Sequence, residues 1–267
     1  MASIPLMNED VEMGHPPPYP GKGGGNQSQT KNNRRRGIFF DEMDDFLHGS
    51  SVAAAHVSIR MGFIRKVLGI LSVQLVCTFV FGAICVFTPG AKGLVQQVSW
   101  LMPIGFILSI GLLIAMLIKR HETPTNYWLL AAWTFVEAYT VGVISTFYEM
   151  DVVVEAVFLT AVVVIALFAY SFQTTRDFST MGAGLFSILW VLVVAGILQI
   201  FLMSPAMEFM IAVGGAVLFS LFIVVDLHLL MHKLSPEEYI LATINLYLDI
   251  INLFLHILRL IQSVRRD

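Results

Sequence analysis

After a polar opening stretch, the chain falls into seven runs dominated by Leu, Ile, Val, Phe and Ala. They lie near Phe63–Phe87, Trp100–Ile118, Tyr127–Phe147, Val152–Phe172, Met181–Met203, Met207–Met231 and Tyr239–Ile261. Each is close to the ~20 residues an α-helix needs to cross a bilayer, and short polar connections separate them. Pro89, Pro124, Pro205 and Pro236 fall at run edges, where a missing backbone donor does least harm. The pattern predicts an all-α polytopic membrane protein: a seven-helix transmembrane domain over residues 41–267, preceded by a Pro- and Gly-rich tail over residues 1–40 that is expected to be disordered.

Composition agrees with that pattern. The chain is 57% apolar and 13% charged, with a mean hydropathy of +0.77, far from an ordinary soluble domain. Its net charge of −3 carries little information, because the distribution of Lys and Arg between loops sets topology. Arg60, Arg65 and Lys66 precede the first run, Lys119 and Arg120 follow the second, Arg176 follows the fourth and Lys233 the sixth. This places the N-terminus in the cytosol. Seven full crossings would then carry Arg265 and Arg266 to the other side, against the rule; the alternative is a last segment that re-enters without crossing, and seven crossings are preferred.

The last two runs carry the candidate chemistry. Asp226 and Asp249 sit inside membrane-length apolar segments, where a carboxylate marks a functional site by default. Asn245, Asp249, Asn252, His256 and Arg259 recur at spacings of four, three, four and three, so they share one side of a helix. In hydrocarbon such a stripe must face protein or water, which puts the last helix in the middle of the bundle. Asp226 lies about 10 Å of rise from Lys233, and Asp249 about 15 Å from Tyr239 across the same short turn. Antiparallel neighbours would bring both carboxylates to one depth. There they would share a proton and titrate as a pair, forming a transient Ca²⁺ site when deprotonated. The plainer alternative is two neutral aspartates holding helices together.

Other polar positions are assigned more modestly. Glu137, with Thr134 and Thr140 at helical spacing, is expected to face the bundle; Glu155, near a run end, is expected to reach the interface. His228 and His232 read as solvated residues at a helix end. Cys77 and Cys85, eight apart in one run, cannot bridge one another on a helix. Gly182-Ala183-Gly184 and Gly214-Gly215 suit close helix packing. Ser235, Pro236 and Glu238 suggest an N-cap, a first helical residue and a capping-box partner. In the tail, Pro16, Pro17 and Tyr19 complete a PPxY pattern of the kind WW domains dock.

Several stretches resemble the transmembrane Bax inhibitor motif family, in its Lifeguard branch. They are Ser50-Ser51-Val52-Ala53 with Ile59-Arg60-Met61, Phe63 to Val67, Asp177-Phe178-Ser179 with Gly182 to Phe186, Leu230 to Tyr239 and Leu246 to Leu255. The resemblance implies a seven-helix bundle with the C-terminal helix central and a paired-aspartate proton sensor. It also implies a calcium leak from Golgi or endoplasmic reticulum stores that dampens apoptosis. It maps the sensor to Asp226 and Asp249, and an arginine latch to Arg120. Two departures stand out: Val225 and Leu227 flank Asp226 where the family usually reads Tyr-Asp-Thr, and Ser109 occupies the place of a pore-lining acid in bacterial relatives.

The function expected on these grounds is a pH-sensitive Ca²⁺ leak channel, with the bilayer, Ca²⁺ and protons as partners and no cofactor, enzymatic activity or nucleic-acid partner. The rivals are a non-conducting regulator acting through WW-domain or apoptosis-regulatory proteins and an intramembrane aspartyl protease. The protease needs a Gly-x-Gly-Asp setting, whereas Leu246-Tyr247-Leu248 precedes Asp249.

Overall fold

The computed structural model describes residues 57–174 and 176–266, so the tail, with Pro16, Pro17 and Tyr19, lies outside the described residues. Among the described residues every regular element is helical. The α-helices are α1 (Val57–Phe87), α2 (Pro89–Gln97), α3 (Met102–Lys119), α4 (Thr125–Ser145), α5 (Met150–Gln173), α6 (Gly182–Leu202), α7 (Pro205–His232) and α8 (Tyr239–Arg266). All but α2 are long and apolar enough to cross a membrane. The short α2 was not foreseen; Pro89 sits at its start, where a ring-locked φ and a missing donor suit the first helical turn.

Helix α8 is the centre of the bundle. It packs against α1, α4, α5 and α7, and 72% of its most apolar window is buried, against 6% for α6, which packs mainly on α7. The contrast follows from sequence: α8 carries the polar stripe and needs protein on every side, whereas α6 has no charged residue and can present its Leu, Ile and Phe side chains to lipid. Trp133, Tyr247 and Phe254 are the largest fully buried side chains. The Trp133 and Tyr247 rings meet at 5.2 Å, and the Tyr247 hydroxyl is 2.8 Å from Thr78 Oγ1 on α1. The phenol therefore keeps a partner in the dry core.

Two features of α8 settle expectations. It runs the full length of the bundle: Arg265 reaches Glu155 at the start of α5 (2.6 Å) and Arg266 reaches Glu208 at the start of α7 (3.5 Å). These two acids neutralise the arginines that stood against seven crossings, and Glu155 is at a helix end as expected. The capping box, in contrast, does not form. Helix α8 starts at Tyr239, Ser235 organises a turn by accepting from the Glu237 and Glu238 amides, and the Glu238 carbonyl receives the first helical bond, from Ala242. The Glu238 carboxylate turns to Arg120 instead.

The glycine pairs divide. Space around Gly182 and Gly184 is open, so they do not mark a tight helix contact, whereas Gly215 does. Cys77 is exposed and Cys85 buried, both as free thiols.

Candidate functional site

The five polar residues of the α8 stripe all line one cavity of about 760 Å³ between α6, α7 and α8, together with Asp226 of α7. Its α6 wall is apolar, with Phe186, Leu189 and Leu192. The Asp226 and Asp249 carboxyl groups stand within hydrogen-bonding range of one another. Asp249 is buried, and its Oδ2 has no hydrogen-bond partner among the described residues.

Below the pair, the His256 ring stacks on Phe219 at 5.5 Å between centroids. The ring also lies directly against Gly215, where a Cβ would collide with it. The glycine thus makes room for an imidazole rather than for a second backbone. A second pocket of about 530 Å³ shares Gly196, Ile211 and Arg259 with the first and continues past Gln199 to Glu208. The polar lining therefore runs from the aspartates to the end of the bundle that holds the Glu208–Arg266 pair.

Leu185, Leu218 and Val225 form a small apolar cluster between α6 and α7, with Phe178, Leu189 and Phe222 packed against it. Beyond it Asp177, in the α5–α6 connection, reaches His228 Nε2 at 3.0 Å. The His228 ring is buried, stacks on His232 at 4.5 Å and meets the Phe178 edge at 6.0 Å. His228 is therefore not the solvated end residue expected from its position in sequence; its partner comes from a distant connection. The Ser179 side chain and its backbone N–H, the latter at 2.8 Å, hold the Asp177 carboxyl down at about 2. That stabilising contribution is complete above the ordinary aspartate value of about 4 and is lost only as pH falls towards 2. Near neutral pH Asp177 is thus a fixed charge. If the Asp177–His228 clasp helps to close this end, Asp177→Asn raises ion leak about two- to fivefold, measured on reconstituted protein; an unchanged leak would make the clasp a mere packing contact.

Arg120 and Glu137 are not brought to the aspartates. Arg120 ends α3, with Nη1 3.5 Å from Glu238 and Nε 3.0 Å from His121, while Asp249 lies about 15 Å further along α8. An arginine side chain cannot span that distance, so the Arg120 latch is not formed here; the arginine that lines the cavity is Arg259. Arg120→Gln should cost under about 1 kcal/mol, as for a half-exposed ion pair, and leave the pH profile of any flux unchanged. Glu137 faces the bundle as expected but on another side of α8, accepting from Ser109 Oγ at 2.5 Å, while Trp133 Nε1 donates to the same hydroxyl at 2.9 Å. Ser109 thus serves as the partner of an acid on α4. Among the described residues no group of three or more His, Cys, Asp or Glu is placed to hold a metal ion.

Residues 60–266 match the family described as inhibitor of apoptosis-promoting Bax1, and the chain belongs to that family. It is 46% identical over 219 residues to the Golgi anti-apoptotic protein of Vaccinia virus (strain Lister), covering 82% of this chain and 92% of the relative. It is 45% identical to protein lifeguard 4 of Mus musculus, with 84% and 94% covered. It is 36% identical to Bax inhibitor 1 of Schizosaccharomyces pombe, with 91% and 88% covered. It is a multi-pass membrane protein.

Proposed function

We propose that this protein is an anti-apoptotic regulator of Golgi or endoplasmic reticulum membranes that works as a pH-sensitive Ca²⁺ leak, with its N-terminus in the cytosol. The names of its relatives support the anti-apoptotic and Golgi parts. The leak rests on one observation above all: Asp226 and Asp249 face one another across a cavity within a membrane bundle.

The mechanism follows from charge. With one proton shared, the two carboxyl groups bridge α7 and α8 and hold them together. Loss of that proton leaves two like charges in contact, a repulsion that is strong where water is scarce. The repulsion is relieved by parting the helices or by admitting a cation. Ca²⁺ suits the vacated place because it takes oxygen ligands in flexible number; two carboxylates with Asn245 and Asn252 amide oxygens and water could make up its shell. Too few fixed ligands are present for tight retention, which favours passage. The basic end, with Arg60, Arg65, Lys119 and Lys233, is the cytosolic one by the distribution of positive charge, so the cavity continues towards the store side and the Asp177–His228 clasp faces the cytosol.

Expression of the protein in cells should lower the releasable calcium of internal stores, and Asp226→Asn should restore it. Store calcium lowered equally by both forms would remove the aspartates from the mechanism.

A further inference from the structure

At the basic end of the bundle, away from the aspartate cavity, α1, α5 and α7 enclose a separate crevice of about 410 Å³. We infer that it is a binding site for a phosphate group, presented either on an anionic lipid headgroup or as free phosphate.

The chemistry of the lining points to an anion. Arg60 and Arg65 come from the first turns of α1, His232 from the last residue of α7, and Ser171 and Thr174 from the end of α5. No acidic side chain is among them. Several other charged groups of this end are matched differently: Lys119 pairs with Glu122, Arg120 with Glu238 and Asp177 with His228, while Lys66 lies over the Tyr239 ring at 3.1 Å. Among the described residues Arg60 and Arg65 have no acidic partner, although guanidinium groups favour planar, bidentate pairing with carboxylate or phosphate.

Ser171 makes the second, independent argument. Its side chain is 1% exposed and lines this crevice, yet its Oγ has no hydrogen-bond partner among the described residues. A buried hydroxyl without a partner is uncommon. Other buried hydroxyls of the bundle do have partners: Thr78, Thr134, Ser145 and Thr160 each donate to the carbonyl four residues back. Ser171 instead keeps its donor for something that enters the crevice, and with two arginines beside it the complement is an oxyanion with several acceptor oxygens. Met61, Leu68 and Phe172 give the same crevice an apolar side. An anionic lipid could use this side for its glycerol and first methylenes while its phosphate meets Arg60, Arg65 and Ser171.

The test uses the full-length purified protein in a neutral detergent. It is titrated with dioctanoyl phosphatidic acid, with inorganic phosphate and with dioctanoyl phosphatidylcholine, and bound adducts are counted by native mass spectrometry. Saturable binding of phosphatidic acid is expected, with no saturable binding of phosphatidylcholine. The double variant R60Q/R65Q should weaken it by about tenfold or more, as loss of charge-assisted hydrogen bonds does. Ser171→Ala should weaken it about threefold without lowering thermal stability, because the hydroxyl has no partner in the fold to lose. Competition by inorganic phosphate at comparable concentration would identify the ligand as free phosphate; its failure to compete would identify the lipid headgroup. Equal binding by R60Q/R65Q and the natural chain, or equal binding of phosphatidylcholine, would overturn the site. So would binding that appears only after Asp41, Glu42, Asp44 and Asp45 are changed to their amides, which would assign the crevice to the chain's own acidic segment.

Discussion

Asp249→Asn is expected to leave a protein that folds normally but conducts at a low, pH-independent level. The amide is nearly isosteric with the carboxyl and carries hydrogens that do not titrate, so it can donate to Asp226 at any pH. The variant therefore imitates the proton-sharing pair permanently. At about pH 8, where the natural pair would have lost its proton, Ca²⁺ flux should fall by about tenfold or more, and between about pH 5 and pH 8 the profile should be flat. The sign of this effect is decisive. If the aspartates only glued helices together, the same substitution would preserve the hydrogen bond and leave flux and pH profile as they were.

Gly215→Ala is the second large effect, and it concerns the fold of the site. A methyl group there would strike the His256 ring, which also stacks on Phe219 and belongs to the most buried helix of the bundle. Overpacking of this kind costs about 1–3 kcal/mol, seen as a lower midpoint of thermal denaturation in detergent. Combining it with His256→Ala should recover most of that loss, because the new methyl then occupies space the imidazole has left. If the double variant is less stable than either single one, the Gly215–His256 contact is not what the substitution disturbs.

How much of this was legible in sequence depends on whether the signal was local. The number and limits of the long helices follow from run length and hydropathy, and the α8 stripe from spacing within a single helix. Asn245, Asp249, Asn252, His256 and Arg259 do line one cavity. Asp226 joins them because a short turn fixes the antiparallel register of α7 and α8. The misses were contacts between distant parts of the chain. His228 looked like an end residue until the α5–α6 connection placed Asp177 on it. The match of Ser235, Pro236 and Glu238 to a capping box was sound as a local pattern. Yet Arg120, from another helix, draws the Glu238 carboxylate outward and the turn extends to Tyr239. Arg120 itself was placed by resemblance, and the distance along α8 decided against it. Gly182 and Gly184 were small for no packing reason that the bundle reveals.

The measurement that bears most directly on the aspartate leak is Ca²⁺ uptake by liposomes containing the purified natural protein, followed from about pH 5 to about pH 8. Flux that rises with pH, as the shared proton of Asp226 and Asp249 is lost, is the expected result. No flux above that of protein-free liposomes at any pH, from protein shown to be folded by its helical circular dichroism and cooperative thermal transition, would contradict the account and leave a regulator that acts through its partners.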